Sequence, residues 1–319
     1  MNVSTLLALV FVACGPTTVV VDDKPGAGTD TAADDTGLDS ADTGSDTGDT
    51  ASETGDDTDD TDDTEPGPLT GDCFDYALVI DQSAHLSSGS TFDSFDSTLG
   101  AYGGENVGSV ATLSLNGDEA CALLNGSTVQ GTIAVAGDPE ATYCEEWGAA
   151  VSGGVVELLT PATLPVVATP EVGDSQGDVT LTWGGASTWN ADARYEDVSV
   201  AGGSTLSVTR SATVVVDTLD VSGTIHIAEG ERLDLYVRGS VNLGWGAALN
   251  AGGSPGQLRL WVLGVGPVTV AYGAGLNAWM LAPEAPVSHV GTFGGAMAVR
   301  ELATAWGAAT HLDTSVICP

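Results

Sequence analysis

Beyond about Leu69 the chain alternates apolar and polar residues in short runs cut by Gly, Asn, Asp and Ser. Examples are TLSV (205–208), TVVV (213–216), TLDV (218–221), TIHI (224–227), LDLYV (233–237), SVNL (240–243) and LRLWVL (258–263). A period of two over so few residues predicts short β-strands, each with one buried face. No window carries the 3.6-residue period of a long helix; segments 118–124 and 299–305 have room for one or two turns at most. Strands this short fit a sandwich, a barrel or a β-solenoid. The solenoid is favoured because the linkers between many strands are long enough for a corner and too short for a sandwich crossover. Gly223, Gly230, Gly239 and Gly244 fall at the expected corners, where positive φ costs glycine little.

The N-terminal part reads differently. Residues 1–13, MNVSTLLALVFVA, run from a polar start into an apolar stretch, Leu6 to Ala13, that is too short to span a bilayer, and they predict a signal peptide. Phe11-Val12-Ala13-Cys14 resembles the bacterial lipobox, although Phe11 stands where Leu is commonest and no Lys or Arg precedes the apolar run. On that reading Cys14 is diacylated, and the chain is exported and held by its lipid at the outer membrane or cell surface. Ordinary signal cleavage is the alternative. Residues 14–68 then predict a tether. Its Asp-Thr and Asp-Thr-Gly units carry almost no apolar side chains, so they bury too little surface to offset chain entropy. As a coil it averages about 40 Å end to end, and Pro66 and Pro68 mark its junction with a folded domain over 69–319.

Charge narrows the function classes. Acidic residues number 44 against 7 basic ones, a net charge of -37. Residues 22–66 hold 17 of the acids and only Lys24, so the folded domain is acidic in its own right. Such a surface repels phosphate backbones, which argues against a nucleic-acid partner.

Cys73, Cys121, Cys144 and Cys318 make an even count in an exported chain, consistent with two disulfides. Cys121 with Cys144 closes a modest loop, leaving Cys73 with Cys318 to tie the ends of the domain; other connectivities stay open. The spacings do not match zinc motifs, and no cofactor is predicted. Asp217, Asp220, Arg232, Asp234 and Arg238 are the nearest approach to a polysaccharide-cleaving constellation. Arg232 and Asp234 alternate with Leu233 and Leu235, which puts them on a solvated strand face. No catalytic residue is assigned. His85, His226, His289 and His311 lack any paired ligand spacing, and His311 with Asp313 is expected to bond within the last coil. Trp183, Trp189 and Tyr195 are the residues that could stack on sugar rings if exposed.

Three late segments, Ala282-Pro283-Glu284-Ala285, Phe293-Gly294-Gly295-Ala296 and His311-Leu312-Asp313, together with FDSFDSTLGAYGGENVGS (92–109), resemble turn and core motifs of a bacterial extracellular β-helix domain of unknown function, found in surface-anchored and pilus-assembly-related proteins. The match covers most of 74–315 and is poor over 141–195. The resemblance implies a right-handed parallel β-helix and brings no catalytic residues with it. The sequence therefore predicts an all-β surface lipoprotein of structural or adhesion type. The alternative is a carbohydrate-binding or polysaccharide-cleaving β-helix, with a surface glycan or protein as partner.

Overall fold

The computed structural model describes residues 76–100, 102, 107–108, 111–115, 126–136, 148–160, 162 and 164–316. The signal segment, the tether and all five cysteines, Cys14, Cys73, Cys121, Cys144 and Cys318, lie outside these residues. Within them the chain is an all-β solenoid in which nearly every strand pairs in parallel with one about twenty residues away.

Three faces stack. The first runs through Val179–Leu181, Asp197–Val200, Thr218–Val221, Val241–Leu243 and Val268–Val270. It continues onto the C-terminal ends of two long strands, Gly275–His289 and Thr292–Thr304. The second face contains Ala186–Trp189, Thr205–Val208, Thr224–Ile227 and Ala248–Leu249, then the N-terminal ends of the same long strands, then Ala309–Asp313. The third contains Ala193–Arg194, Ala212–Val216, Leu233–Val237 and Leu258–Val262, then the middles of the long strands.

The coil does not stop where the chain ends. Leu78–Leu86 pairs in parallel with Thr292–Thr304, and Thr91–Phe95 pairs in parallel with Ala309–Asp313. The N-terminal strands thus continue the coil from the point that the C-terminal strands reach, and further layers follow through Ala111–Leu115, Gly131–Ala136 and Val155–Leu158. One layer is composite, with two faces from the C-terminal segment and its third from residues 78–80. On the third face nine successive pairings join ten strand segments, about 43 Å at 4.8 Å per layer.

This arrangement requires a return path. Val155–Leu158 lies at one end of the coil and Val179–Leu181 at the other, so residues 159–178 must travel its length. They do so as an extended strap over the outer side of the third face. Ala162, Leu164 and Val167 meet Val79, Trp261, Trp279, Leu281, Ala296 and Ala298 in a second hydrophobic cluster. Thr169–Gly173 then lie beside Arg194, Val215 and Arg238, and Ser175 bridges to Arg194. The sixteen residue-to-residue steps from 159 to 175, at about 3.3 Å each, reach about 53 Å, enough for the span. Pro165 and Pro170 suit an extended segment that needs few backbone donors.

The poorly matching stretch 141–195 therefore contains this strap and the first coil. The third face, buried on both sides, reads as near-continuous hydrophobic runs such as ATVVV and LRLWV, as parallel strands covered on both sides do. Segment 299–305, weighed as a helical turn, is instead largely strand: Val299–Thr304 completes Thr292–Thr304. Segment 118–124 lies outside the described residues. The only helices among the described residues are 3₁₀ turns at Ser97–Leu99 and Pro255–Gln257.

Inside the coil, columns of aliphatic side chains stack layer on layer, as in Val200, Val221, Leu243 and Val270. That column then turns polar at His289 and Thr304, both buried. His289 Nε2 lies 3.1 Å from the Ala309 carbonyl oxygen, whereas Nδ1 has no partner. Desolvation pushes this imidazole down to about 4.

Candidate functional site: an aromatic corner and the cavity beside it

The corner between the first and second faces is built the same way in six layers, from the tetrads Thr182–Gly185, Ala201–Ser204, Gly244–Ala247, Ala271–Ala274, Ala305–Ala308 and Ser87–Ser90. In each, the fourth residue's N–H donates to the first residue's carbonyl at 2.8–3.1 Å. The third residue is a glycine with φ between 71° and 81°. These are the marks of type II turns, whose third position demands positive φ. The second position is then free to vary and its side chain points outward. Four of the six layers place an aromatic residue there: Trp183, Trp245, Tyr272 and Trp306, which are 83%, 77%, 62% and 73% exposed.

The glycines also decide how the rings lie. A Cβ added to Gly203 would meet the Trp183 ring at 3.3 Å, and one on Gly89 would meet Trp306 Nε1 at 3.2 Å. Each indole thus leans along the coil onto the glycine corner of the next layer and leaves its other face in solvent. Tyr272 stands one layer from Trp245 and two layers from Trp306, about 5 and 10 Å along the axis. Between Tyr272 and Trp306 the chain makes a tighter corner at Val290–Gly291. A Cβ on Gly291 would run into the Ala271 carbonyl at 2.7 Å.

The sequence-predicted stacking trio does not stay together. Trp183 joins the exposed corner. Trp189 is only 3% exposed, pointing inward in the first coil, and stacks on half-buried Tyr195 at 5.6 Å between ring centroids. It closes the end of the core and has no face for a ligand. Alternation explains the split, because Trp189 occupies an inward strand position while Trp183 sits in the turn before it. Trp245, Tyr272 and Trp306 were missed as a set. The legible signal was the repeated aromatic-Gly pair in GWGA, AYGA and AWGA.

Beside this corner, on the outer side of the second face, lies a cavity of about 430 Å³ bounded by Phe95, Ser97, Tyr102, Ser254, Asn277 and His311, among others. Asp93 accepts from two partners there, with Tyr102 Oη at 2.6 Å on Oδ2 and His311 Nδ1 at 2.7 Å on Oδ1. The Tyr102 and His311 rings stack with centroids 3.6 Å apart. Burial and the adjoining Asp93 carboxylate push the Tyr102 phenol up to about 12, so it remains a donor.

The expected His311 to Asp313 pairing is not what forms. His311 faces outward toward the N-terminal strand. Asp313 is buried, and its Oδ1 accepts from the Ser97 and Ser315 N–H groups at 3.1 and 3.0 Å and from Ser315 Oγ at 2.7 Å. A local pairing was the natural expectation from sequence, but the partner that the coil supplies is 218 residues away.

The acids and arginines weighed for cleavage form ladders of ion pairs. Arg259 grips Asp234 through Nε at 2.7 Å and Nη2 at 2.6 Å, with Arg232 Nε at 3.2 Å from the same carboxylate. Arg238 pairs with Asp217, and Asp220 accepts from Asn242 Nδ2 at 3.1 Å. Leu233 and Leu235 are buried between them, as the alternation predicted. Among the described residues, no group of three or more His, Cys, Asp or Glu side chains is placed to hold a metal ion.

No family model, curated protein or solved structure matches the chain. Of the resemblance carried by the turn motifs, what the structure shows is the β-solenoid itself.

Proposed function

We propose that this chain is a non-enzymatic, surface-displayed adhesion module that binds neutral polysaccharide along its aromatic corner. One observation carries the reading: four aromatic rings stand on the same corner of a rigid coil, each exposed, at spacings set by whole layers. Flat apolar faces with polar surroundings suit the C–H faces of pyranose rings. Spacings of one and two layers, about 5 and 10 Å, are of the order of one and two sugar units in an extended chain. The charge balance supports a neutral ligand. The domain is acidic, and Arg232, Arg238 and Arg259 are engaged with carboxylates, so little cationic surface remains for uronates or phosphates.

The location rests on the sequence. Cys14 in its lipobox-like setting would anchor the chain in a membrane, and residues 15–68 would hold the coil clear of it. Pairing of Cys73 with Cys318 fits the same picture. Tyr76 and Val316, three and two residues away, pack in one cluster where the N- and C-terminal segments of the domain meet in mid-coil, and a staple there would lock the composite layer.

The test is affinity electrophoresis of the full chain through gels containing soluble neutral glucan, mannan or xylan. Retardation by at least one polymer is expected, and it should disappear in the triple variant Trp245→Ala/Tyr272→Ala/Trp306→Ala. Free migration through all three gels would sink the reading and leave a rigid spacer as the role.

A further inference from the structure

The cavity on the second face is the gap in an otherwise continuous outward ladder. Asn277 is in register with Gly294, Gly294 with His311, and His311 with Asp93. Three of these four positions carry polar side chains; the fourth is a glycine that forms the floor. Asn277 Nδ2 donates to the Gly253 carbonyl at 3.3 Å. Its Oδ1 projects over the floor, 2.5 Å from where a Gly294 Cβ would stand. From the opposite side comes His311. Its Nδ1 is engaged by Asp93 at 2.7 Å, which leaves Nε2 as the ring nitrogen open to a ligand.

The walls are fixed by distant parts of the chain. One wall is the loop at 250–257, where Asn250 Nδ2 donates to the Ser254 carbonyl at 2.9 Å and Gln257 Oε1 accepts from the Ser254 N–H at 2.9 Å. The other is the segment after Phe95, where Asp313 holds the Ser97 N–H and Asp93 holds Tyr102. Apart from His311, the side chains that bound the cavity are uncharged. Its volume falls in the range of small-ligand sites, roughly 300–1,000 Å³. The two layers that flank it, those of Asn277 and His311, also carry Tyr272 and Trp306 at their corners, about 13 Å along the strand.

We propose that this cavity binds a single neutral hexose ring, which packs against the aromatic wall of Phe95 and Tyr102 and hydrogen-bonds through its hydroxyls to His311 Nε2 and Asn277 Oδ1. Hydrogen-bonding groups facing one another across an aromatic-walled space call for a ligand whose groups both donate and accept around an apolar ring face, and a sugar ring offers both. An anion would meet Asn277 Oδ1 and the Asp93 carboxylate behind His311. The inference deepens the polysaccharide reading of the corner and rests on it, placing one ring of the glycan off the corner and in the coil face.

Saturation-transfer NMR on the full chain tests it, with glucose, galactose, mannose and N-acetylglucosamine as separate probes and the protein aromatic envelope irradiated. At least one sugar should receive saturation. Its affinity should fall about fivefold or more, the effect of one lost hydrogen bond, in both Gly294→Ala and His311→Gln, and hold in Val265→Ala, an exposed position outside both the cavity and the corner. Gly294→Ala fills the floor and displaces the Asn277 amide. If that variant does not fold, His311→Gln decides alone. No saturation of any sugar, or saturation unchanged by the cavity variants, overturns the inference. So does saturation lost only in Trp306→Ala, since that would put the ring on the corner. Failure of the corner reading shows separately, as free migration in the polysaccharide gels.

Discussion

The second and third faces are both parallel stacks and share the long strands Gly275–His289 and Thr292–Thr304, yet their outer sides have opposite fates. On the third face Trp261 and Trp279 are about 1% and 0% exposed beneath the strap. At the corner that opens the second face, Trp245 and Trp306 each turn one ring face to water. Parallel stacking brings like positions together in every layer, so a column of outward aromatics arises wherever the sequence repeats one. What such a column then does depends on whether another part of the chain lies over it. Under the strap it is a second core; at the uncovered corner it is a row of ligand-sized faces.

The largest effect that would break this comparison is on the covered side. Trp279→Ala should destabilise the fold by about 3–5 kcal/mol, as truncation of a fully buried aromatic does. Trp306→Ala should stay within about 0.5 kcal/mol, although it belongs to the binding corner. Urea unfolding of the two variants side by side checks the contrast, and similar losses would mean that the corner residues are structural after all.

Next in size is a pH effect from the core that both faces share. The folded-state value for His289, about 4, lies below its ordinary 6.5. Between those values the unfolded chain takes up the proton more readily, so its contribution to stability is complete above about pH 6.5. That contribution is lost progressively as the pH falls toward 4, by about 3 kcal/mol in all. Stability measured from pH 7 to 4 in the wild type and in His289→Leu should show that slope in the first and a shallower one in the second. Equal slopes would place the pH sensitivity elsewhere.

The smallest effect sharpens what the strap contributes. Leu164→Ala removes a half-buried contact with the third face and should cost about 1 kcal/mol. The more telling readout is local, because limited proteolysis should cut within 159–175 faster in the variant while the coil stays intact. An unchanged cleavage rate would show that the strap is held mainly by its ends.

Much of this architecture was legible in particular residues. Runs such as TLSV and TIHI alternate because one strand face packs inward, and they became Thr205–Val208 and Thr224–Ile227 with their aliphatic positions buried. Gly223, Gly230, Gly239 and Gly244 do lie at or beside corners, but only Gly230 has positive φ; the other three are glycine because a Cβ would come within 2.4–2.7 Å of the adjacent layer. Alternation around Arg232 and Asp234 correctly placed Leu233 and Leu235 inside.

Local rules stop there. Whether Trp183 or Trp189 would be exposed depended on the phase of one strand relative to its turn, and a single-residue shift reverses every side chain in it. The pairing of His311 with Asp93, the strap over Trp261 and Trp279, and the entry of the N-terminal strands into the C-terminal coil all join residues far apart in the chain. Short-range periodicity determined that this protein would coil, where it would turn, and which side chains would face in. Only the tertiary structure decided which layers became neighbours, because a parallel ladder accepts any strand of matching pattern at its open edge; packing and loop reach chose which strand arrived there.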